Sequence, residues 1–384
     1  MKYNTGRYEE QPNGCVCFIP SSLPLDPPLD YTPKIASLLS SADRAIAYMD
    51  GTIQMVPDSD LLSCMFARKE ALLSAQIEGT IATFSGLLRF EKNLSSPDNP
   101  DHLKQVVNNF NALTEGFAKA EIDKISMGFL CSLHKTLLAG VKGKEKMPGF
   151  IRPIQNLVGG DDCFTATYVP PPQENVMFCL ENLLNYIRMD DDTPPLIKSA
   201  LIYAYFEMIH PFLDGNGRVG RLLIILYLYF KKVIRFRFFT ISYYLKEKRE
   251  EHYIRLNRIS KEGDIEGWIE FYLEGVIKSS NLTSETAVSI KKLNEKLEKW
   301  VITNSVGGIH GILLNQLLFS NPIVSIPNVR DNLNISHQAA GRLVNKYVDA
   351  GFLVEETGKS RYKEFLFVEY VKILSKGTEF PKVE

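Results

Sequence analysis

His210-Pro211-Phe212-Leu213-Asp214-Gly215-Asn216-Gly217-Arg218-Val219-Gly220-Arg221 stands between two apolar runs, Leu196 to Ile209 and Leu222 to Phe230. The first run is apolar almost all round, which predicts a helix buried at the centre of the fold. The second predicts another helix, from Val219 to Phe230. Gly215 and Gly217 allow positive φ and close approach of the backbone to a ligand. Their N–H groups, just ahead of a helix, form a nest for phosphate oxygens. Arg218 and Arg221 are three apart on a first helical turn, so both can reach one phosphate chain. Asp214 is a hard oxygen ligand suited to Mg²⁺ shared with phosphates. His210 can take a proton near neutral pH. Each residue alone has a plainer reading: a structural histidine, an ordinary turn, arginines on a solvated face. Their order in one short stretch favours a phosphate-containing substrate.

Working outward, the chain reads as mainly α. Residues 1–33 form an extended arm punctuated by Pro20, Pro24, Pro27, Pro28 and Pro33, which forbid a long helix. Helical spacing follows from Lys34 to about Lys92, with breaks expected at Asp50-Gly51 and Pro57-Asp58. Asp58 to Ile77 reads as one helix. Lys69 interrupts its apolar face, and its stem is expected to lie along that face with the charge in water. Two helices, about 101–121 and 125–139, follow a loop at Ser95 to Pro100. The stretch from Pro148 to Pro172 changes character. Gln155 to Val158 and Ala166 to Val169 read as the strands of a β-hairpin. Helices resume near Glu174, and a last helical group spans about 265–304. Residues 309–375 follow the outline of a winged helix-turn-helix: a helix, a short helix from Ser325, a turn at Asn334-Ile335-Ser336, a helix to Ala350, then two strands flanking Gly358-Lys359.

The bulk numbers fit this outline. At 384 residues the chain needs two or three cores. Its 45% hydrophobic and 23% charged residues are those of a soluble globular protein. A net charge of −1 supplies no global field toward nucleic acid or anionic membranes. The apolar run Leu222 to Phe230 is about half the length a membrane span needs. Met1 to Glu10 carries no apolar signal-type region, so a cytoplasmic location is expected. Cysteines 15, 17, 64, 131, 163 and 179 show no CxxC pair, and reduced, mostly buried thiols are expected.

The His210–Arg221 stretch resembles the Fic-family signature H-P-F-x-D/E-G-N-G-R-x-x-R at every defined position. Leu133-His134-Lys135, Pro148-Gly149-Phe150-Ile151-Arg152 and Tyr168-Val169-Pro170-Pro171 look like the upstream half of a Fic core. The resemblance implies a Fic helical core with a β-hairpin flap, an N-terminal helical region and a C-terminal winged helix. The corresponding boundaries are 1–98 for the arm and helical region, 99–275 for the core, 276–305 for a linker helix and 306–384 for the winged helix.

What the family does implies transfer of AMP from Mg·ATP to a Ser, Thr or Tyr hydroxyl of a target protein and of the chain itself. His210 would be the base and Asp214 the Mg²⁺ ligand. Glu78, His210, Gly215, Asn216, Gly217, Arg218, Val219, Gly220, Arg221, Tyr244 and Tyr253 would contact the nucleotide. The Asn216 side chain and the backbone around it would hold phosphate oxygens. His252 departs from the second Tyr of many relatives. Leu157, Val158 and Gly159 of the flap would pair with the target segment. Removal of AMP, UMP transfer, phosphoryl transfer and a nucleotide-sensing regulator stand as alternatives.

Ser74-Ala75-Gln76-Ile77-Glu78-Gly79 is similar to the family's inhibitory pattern S/T-x-x-x-E-G/N. A spacing of four puts Ser74 and Glu78 on one helix face, with Gly79 as a natural residue past the helix end. The resemblance implies that Glu78 pairs with Arg221 and denies it to the γ-phosphate. Breaking a buried pair costs about 3–5 kcal/mol, enough for roughly two to three orders of magnitude in turnover. In the tail, His337, Gln338, Arg342, Asn345 and Lys346 would be exposed on the recognition helix, with cations in the wing at Lys359, Arg361 and Lys363. Winged helices take either duplex DNA or protein, so residues 325–365 leave both partners open. No membrane partner is expected, and family members often form homodimers.

Overall fold

The computed structural model describes residues 3–56, 58–119, 125–140, 144–358 and 362–380. Strands β1 (Gly6–Glu10) and β2 (Val16–Pro20) pair antiparallel, with Tyr8 opposite Phe18. The expected extended arm is therefore a hairpin. Its prolines fall between the strands, at the end of β2 or beyond it, so no ladder donor is lost. Helix α1 (Pro33–Gln54) starts at the Thr32 hydroxyl, which accepts from Ile35 N. It runs through Asp50-Gly51 without the expected break, because Gly51 is exposed and the buried face continues from Met49 to Ile53.

Helix α2 (Ser59–Ile77) ends in a Schellman turn, with Gly79 N on Gln76 O and Thr80 N on Ala75 O. Lys69 departs from expectation. It is 1% exposed, with its charge buried beside Glu379 rather than in water. Helices α3 (Phe84–Glu91), α4 (Pro100–Ala118) and α5 (Met127–Leu137) follow, and α4 packs on α2 and α5.

The segment from 155 to 169 holds one antiparallel bridge, Val158 to Tyr168, instead of two strands. Side chains take the backbone groups that a ladder would use. Gln155 Nε2 donates to Pro170 O, and Asp162 Oδ1 accepts from Phe164 N and Thr165 N.

Helices α6 (Gln173–Arg188), α7 (Pro195–Ile209) and α8 (Asn216–Phe230) form the centre. Nearly every residue of α7 is buried, as its all-round apolar sequence requires. Short α9 (Ser242–Glu247) and α10 (Arg249–Glu262) lead to α11 (Ile265–Thr303), which is 39 residues long and lies along α1. The helix expected at 276–305 is thus the second half of a longer one whose apolar face already starts at Ile265 and Trp268.

The last unit contains α12 (Ile309–Ser320), β3 (Ile323–Ser325), α13 (Ile326–Leu333), α14 (His337–Asp349), β4 (Leu353–Glu355), β5 (Glu364–Phe367) and α15 (Val368–Ser375). Its three strands form an antiparallel sheet in the order β3-β5-β4. Strand β3, only three residues long, is too short to show a period in the sequence. His337, Gln338, Arg342, Asn345 and Lys346 are exposed on α14. Lys359, Ser360 and Arg361 of the expected wing lie outside the described residues. No helix among the described residues is long and apolar enough to cross a membrane.

One expectation about cysteine is corrected. Cys15, between β1 and β2, is bonded to Cys163 at a Cα–Cα distance of 5.6 Å. Cys17 and Cys179 are buried free thiols, Cys131 is partly buried and Cys64 is exposed. A sequence separation of 148 hides such a pair, since bonding depends on where the fold brings two Cα atoms. Non-reducing peptide mapping after thiol labelling is expected to recover Cys15 and Cys163 as one linked pair, with label on the other four. Six labelled thiols would contradict the bond. Cys15→Ser is expected to lower unfolding free energy by about 2–4 kcal/mol.

Candidate active site

The site forms where α7 hands over to α8. His210 is the residue that ends α7, at φ 50 and ψ 59. A non-glycine residue in this left-handed region is held there by its surroundings. Arg152, 1% exposed, is one holder: its Nε donates to His210 O at 2.9 Å, and its backbone N–H to Pro211 O at 2.9 Å. The same guanidinium donates to Ile154 O and Pro171 O, at 2.9 and 2.5 Å, so it ties the 154–171 segment to the histidine turn. The imidazole Nδ1 faces Glu207 O at 3.2 Å. That assigns the proton to Nδ1 and leaves the Nε2 lone pair free. Burial, helped by the Arg152 charge and opposed by the Glu207 carbonyl, pushes the imidazole pKa down to about 4.

Gly215 (φ 78) precedes α8, and no side chain caps the helix start. The first N–H groups of α8 are therefore open donors at the positive end of a helix dipole. Gly217 is helical, contrary to the expected positive φ. Its lack of a Cβ serves proximity instead, because a Cβ there would collide with Glu78 Oε1 and lie 3.0 Å from Arg221 Nη1. The Asn216 side chain also differs from expectation. It is 2% exposed, and it accepts from Phe212 N at 2.9 Å while donating to Phe212 O at 2.7 Å. The oxygen and one of the two Nδ2 hydrogens close the turn, so a single N–H of the side chain is left to meet a phosphate.

Asp214 accepts from Lys146 Nζ at 2.5 Å and from its neighbour Gly215 N at 2.6 Å, and Arg218 Nη2 lies 3.4 Å away. These partners, Lys146 and Arg218 above all, hold its carboxyl below the usual carboxylate range against the effect of burial. Among the described residues no group of three or more His, Cys, Asp or Glu converges as a metal cage. Arg218 is 5% exposed, and its Nε is buried without a partner.

His134, fully buried and stacked on Phe212 at 3.9 Å, fixes the other side of the turn. Its Nδ1 accepts from Gly149 N at 2.9 Å, so its Nε2–H donates to Asp214 O at 3.0 Å. Burial pushes this ring to about 4 as well.

Arg221, 1% exposed, is met by the end of α2. Its Nε donates to Ser74 Oγ at 2.9 Å, and its Nη2 to Ser74 O at 3.0 Å and Glu78 Oε1 at 2.6 Å. The Glu78 carboxylate thus lies both on Arg221 and over the first turn of α8 at Gly217. Gly79 (φ 88) ends the helix behind it, and Arg249 Nε donates to Ile77 O at 3.0 Å.

The remaining expected residues divide. Tyr253 is 38% exposed beside Arg249 and close enough to Glu78 and Arg221 to feel both charges. Tyr244 is 2% exposed, with its ring on Phe271 and Gly275 and its hydroxyl 3.4 Å from Glu274, so it packs into α11 and has no free surface for a nucleotide. Val219 is fully buried, leaving only its backbone to the site. Gly220 lies against Tyr203 and Glu207. His252 is fully buried behind them, paired with the Tyr203 hydroxyl at 3.1 Å. In the flap, Val158 carries the bridge, Gly159 turns at φ 72, and Asn156 Nδ2 donates to Phe212 O at 2.9 Å beside Leu157.

The residue reading undervalued Arg152, Lys146 and Glu207. Lys146 lies 68 residues from Asp214, and nothing local marks it, whereas Arg152 stands in a motif that gives it no role.

Residues 36–118 match the Fic/DOC family N-terminal domain, and residues 124–228 match the Fic/DOC family domain. "Protein adenylyltransferase Fic" of Drosophila grimshawi is 23% identical over 201 residues, 52% of this chain and 38% of that protein. "Protein adenylyltransferase fic-1" of Caenorhabditis elegans is 31% identical over 107 residues, 27% of this chain and 19% of that protein. The chain therefore spans well under half the length of these relatives. A crystal structure of a Fic family protein from Desulfovibrio desulfuricans G20 aligns with TM-score 0.58 at 19% identity, covering 88% of this chain and 97% of that one, which shows a shared fold. Over residues 36–118 and 124–228, this chain carries the two domains of the Fic/DOC family.

Proposed function

We propose that the chain is a protein adenylyltransferase that uses Mg·ATP and is restrained by its own Glu78. The observation that carries the reading is the Arg221 guanidinium, buried at the open start of α8 and joined to Glu78 Oε1 at 2.6 Å. Family relatives named as protein adenylyltransferases support the choice of reaction.

The geometry supports the following chemistry. A Ser, Thr or Tyr hydroxyl of a target segment lying beside the flap gives its proton to His210 Nε2. Its oxygen bonds to the α-phosphorus, the α–β bridging bond breaks, and diphosphate leaves. The uncapped N–H groups at the start of α8 would face charge that develops on phosphate oxygens, with the Arg218 guanidinium beside them, its Nη2 3.4 Å from Asp214. Arg221 would grip the β- and γ-phosphates once Glu78 withdraws. Asp214 fits a magnesium ion that arrives with the nucleotide, because such an ion takes one or two protein carboxylates and fills its shell with phosphates and water. Asp214 would hold the ion in competition with Lys146, whose Nζ donates to Asp214 Oδ2.

Glu78 opposes ATP twice over. It occupies the cation meant for phosphate, and its own negative charge lies over the anion nest. About a third of its side chain stays in water, so the pair lies below the fully buried limit. A charge-assisted hydrogen bond of about 1.5–3 kcal/mol then corresponds to roughly ten- to a hundredfold in population, less than the two to three orders expected from sequence.

Glu78→Gly is accordingly expected to raise protein labelling from α-³²P-ATP by about ten- to a hundredfold, with none from γ-³²P-ATP. Label from γ alone would replace the reading with phosphoryl transfer. His210→Ala is expected to abolish labelling while calorimetry still detects ATP binding; lost binding would make His210 structural. The pH dependence has a definite sign. Because the free-enzyme imidazole is pushed down to about 4, kcat/KM of Glu78→Gly should fall only as pH drops toward that value. A histidine titration by NMR that finds His210 half-protonated near pH 6.5 would contradict this.

A further inference from the structure

We infer that the groove between α2 and α9 is a peptide-binding site, and that the chain's own segment Lys376–Phe380 fills it to hold the last turn of α2 against Arg221. The inference rests on the reading of Glu78 as a brake, and it adds what keeps that brake in place.

Beyond α15 the backbone turns at Gly377 (φ 87) directly over the Tyr243 ring, where a Cβ would lie 2.8 Å from two ring carbons. Only a residue without a side chain fits that approach. Thr378 follows, 5% exposed, and its carbonyl accepts from Gln76 Nε2 at 3.0 Å. The same amide nitrogen donates to Ala82 O at 3.0 Å, so both of its hydrogens are committed. Glu379 O accepts from Lys246 Nζ at 2.7 Å, and the Phe380 ring lies under that ammonium at 5.7 Å. Lys376 pairs with Glu285 of α11 at 3.1 Å. Lys69, two helical turns before Gln76 on α2, is buried facing the charge of Glu379. The segment thus contacts α2 through Gln76 and Lys69, and α9 through Tyr243 and Lys246.

Gln76 stands between Ser74 and Glu78, in the turn that delivers both groups to Arg221. That turn is supported elsewhere by backbone bonds from Gly79 and Thr80 and by Arg249 on Ile77 O. The Thr378 carbonyl adds a side-chain anchor from outside the α2 region, beside the Gln76 bond to Ala82 O. Its removal leaves the buried Gln76 donor unmatched and frees the turn to fray, and Glu78 would leave Arg221 more often. Because the segment continues directly from α15, displacement of the last unit would be passed to α2 by the same contacts. The groove selects a main-chain carbonyl for Gln76, a glycine over Tyr243, and an acidic then an aromatic residue around Lys246. A partner peptide of this pattern would compete with the chain's own segment.

Two variants of the 384-residue chain test this. Gly377→Val puts a β-branched side chain at positive φ against Tyr243 and should expel the segment while leaving the Gln76 bond to Ala82 O, whereas Gln76→Leu removes the donor to both carbonyls. Each is expected to raise labelling from α-³²P-ATP about five- to tenfold in the parent chain, but to add under about twofold to Glu78→Gly. Hydrogen exchange of the amides of residues 77–79 should quicken in both. If Glu78→Gly is activated and Gly377→Val is not, the groove is overturned and the brake stands. If Glu78→Gly itself is silent, both fall.

Discussion

A guanidinium that is 1% exposed must be matched, and Arg221 organises the site through that requirement. Its position on α8, six residues past the N-cap glycine, puts it on the second turn behind the open helix start. Ser74 and Glu78 supply the match in this state, and a polyphosphate would supply it in another. Two anions that need the same cation cannot both be satisfied. From that exclusion follows the proposed restraint, without any larger movement of the fold.

The turn itself is held from every side by groups that do not face a substrate. Arg152 takes His210 O, Ile154 O and Pro171 O, and thereby couples the histidine turn to the 154–171 segment. Asn216 closes the turn on Phe212, and His134 clamps Asp214 O against Gly149 N. All three are nearly or wholly buried, where the low local polarity strengthens each bond and makes its loss costly. Burial also keeps the His134 and His210 rings neutral near physiological pH, each pushed to about 4. One neutral ring is a positioned clamp, and the other keeps a free ring nitrogen, as the proposed role of base requires. The difference lies in their free nitrogens, since His134 uses both and His210 only Nδ1.

Beyond the site, the same logic of matched groups ties distant parts of the chain. The hairpin β1–β2 is bonded through Cys15 to Cys163 beside the flap, and Phe18 N donates to Val169 O. The segment after α15 reaches back to Gln76 across 302 residues. Glu70 of α2 accepts from the Ser242 hydroxyl and N–H of α9. The end of α2 is therefore a junction for the catalytic turn, α9 and the last unit.

Local pattern alone determined the helical class, the extent of α2 and α7, the order of helices in the last unit, and the spacing that puts Ser74 and Glu78 on one face. These properties depend on residues within a turn or two of one another, so period and capping residues carry them. Tertiary structure decided the rest. Gln155 and Asn156 bond backbone rather than letting a hairpin ladder form, and Asn216 turns inward to Phe212. Tyr244 is spent on α11, and Lys69 is buried where an exposed charge was expected. Cys15 finds Cys163, Lys146 finds Asp214, and Thr378 finds Gln76. In each case the partner is far along the chain, and which polar group wins it depends on burial and distance that no local spacing records.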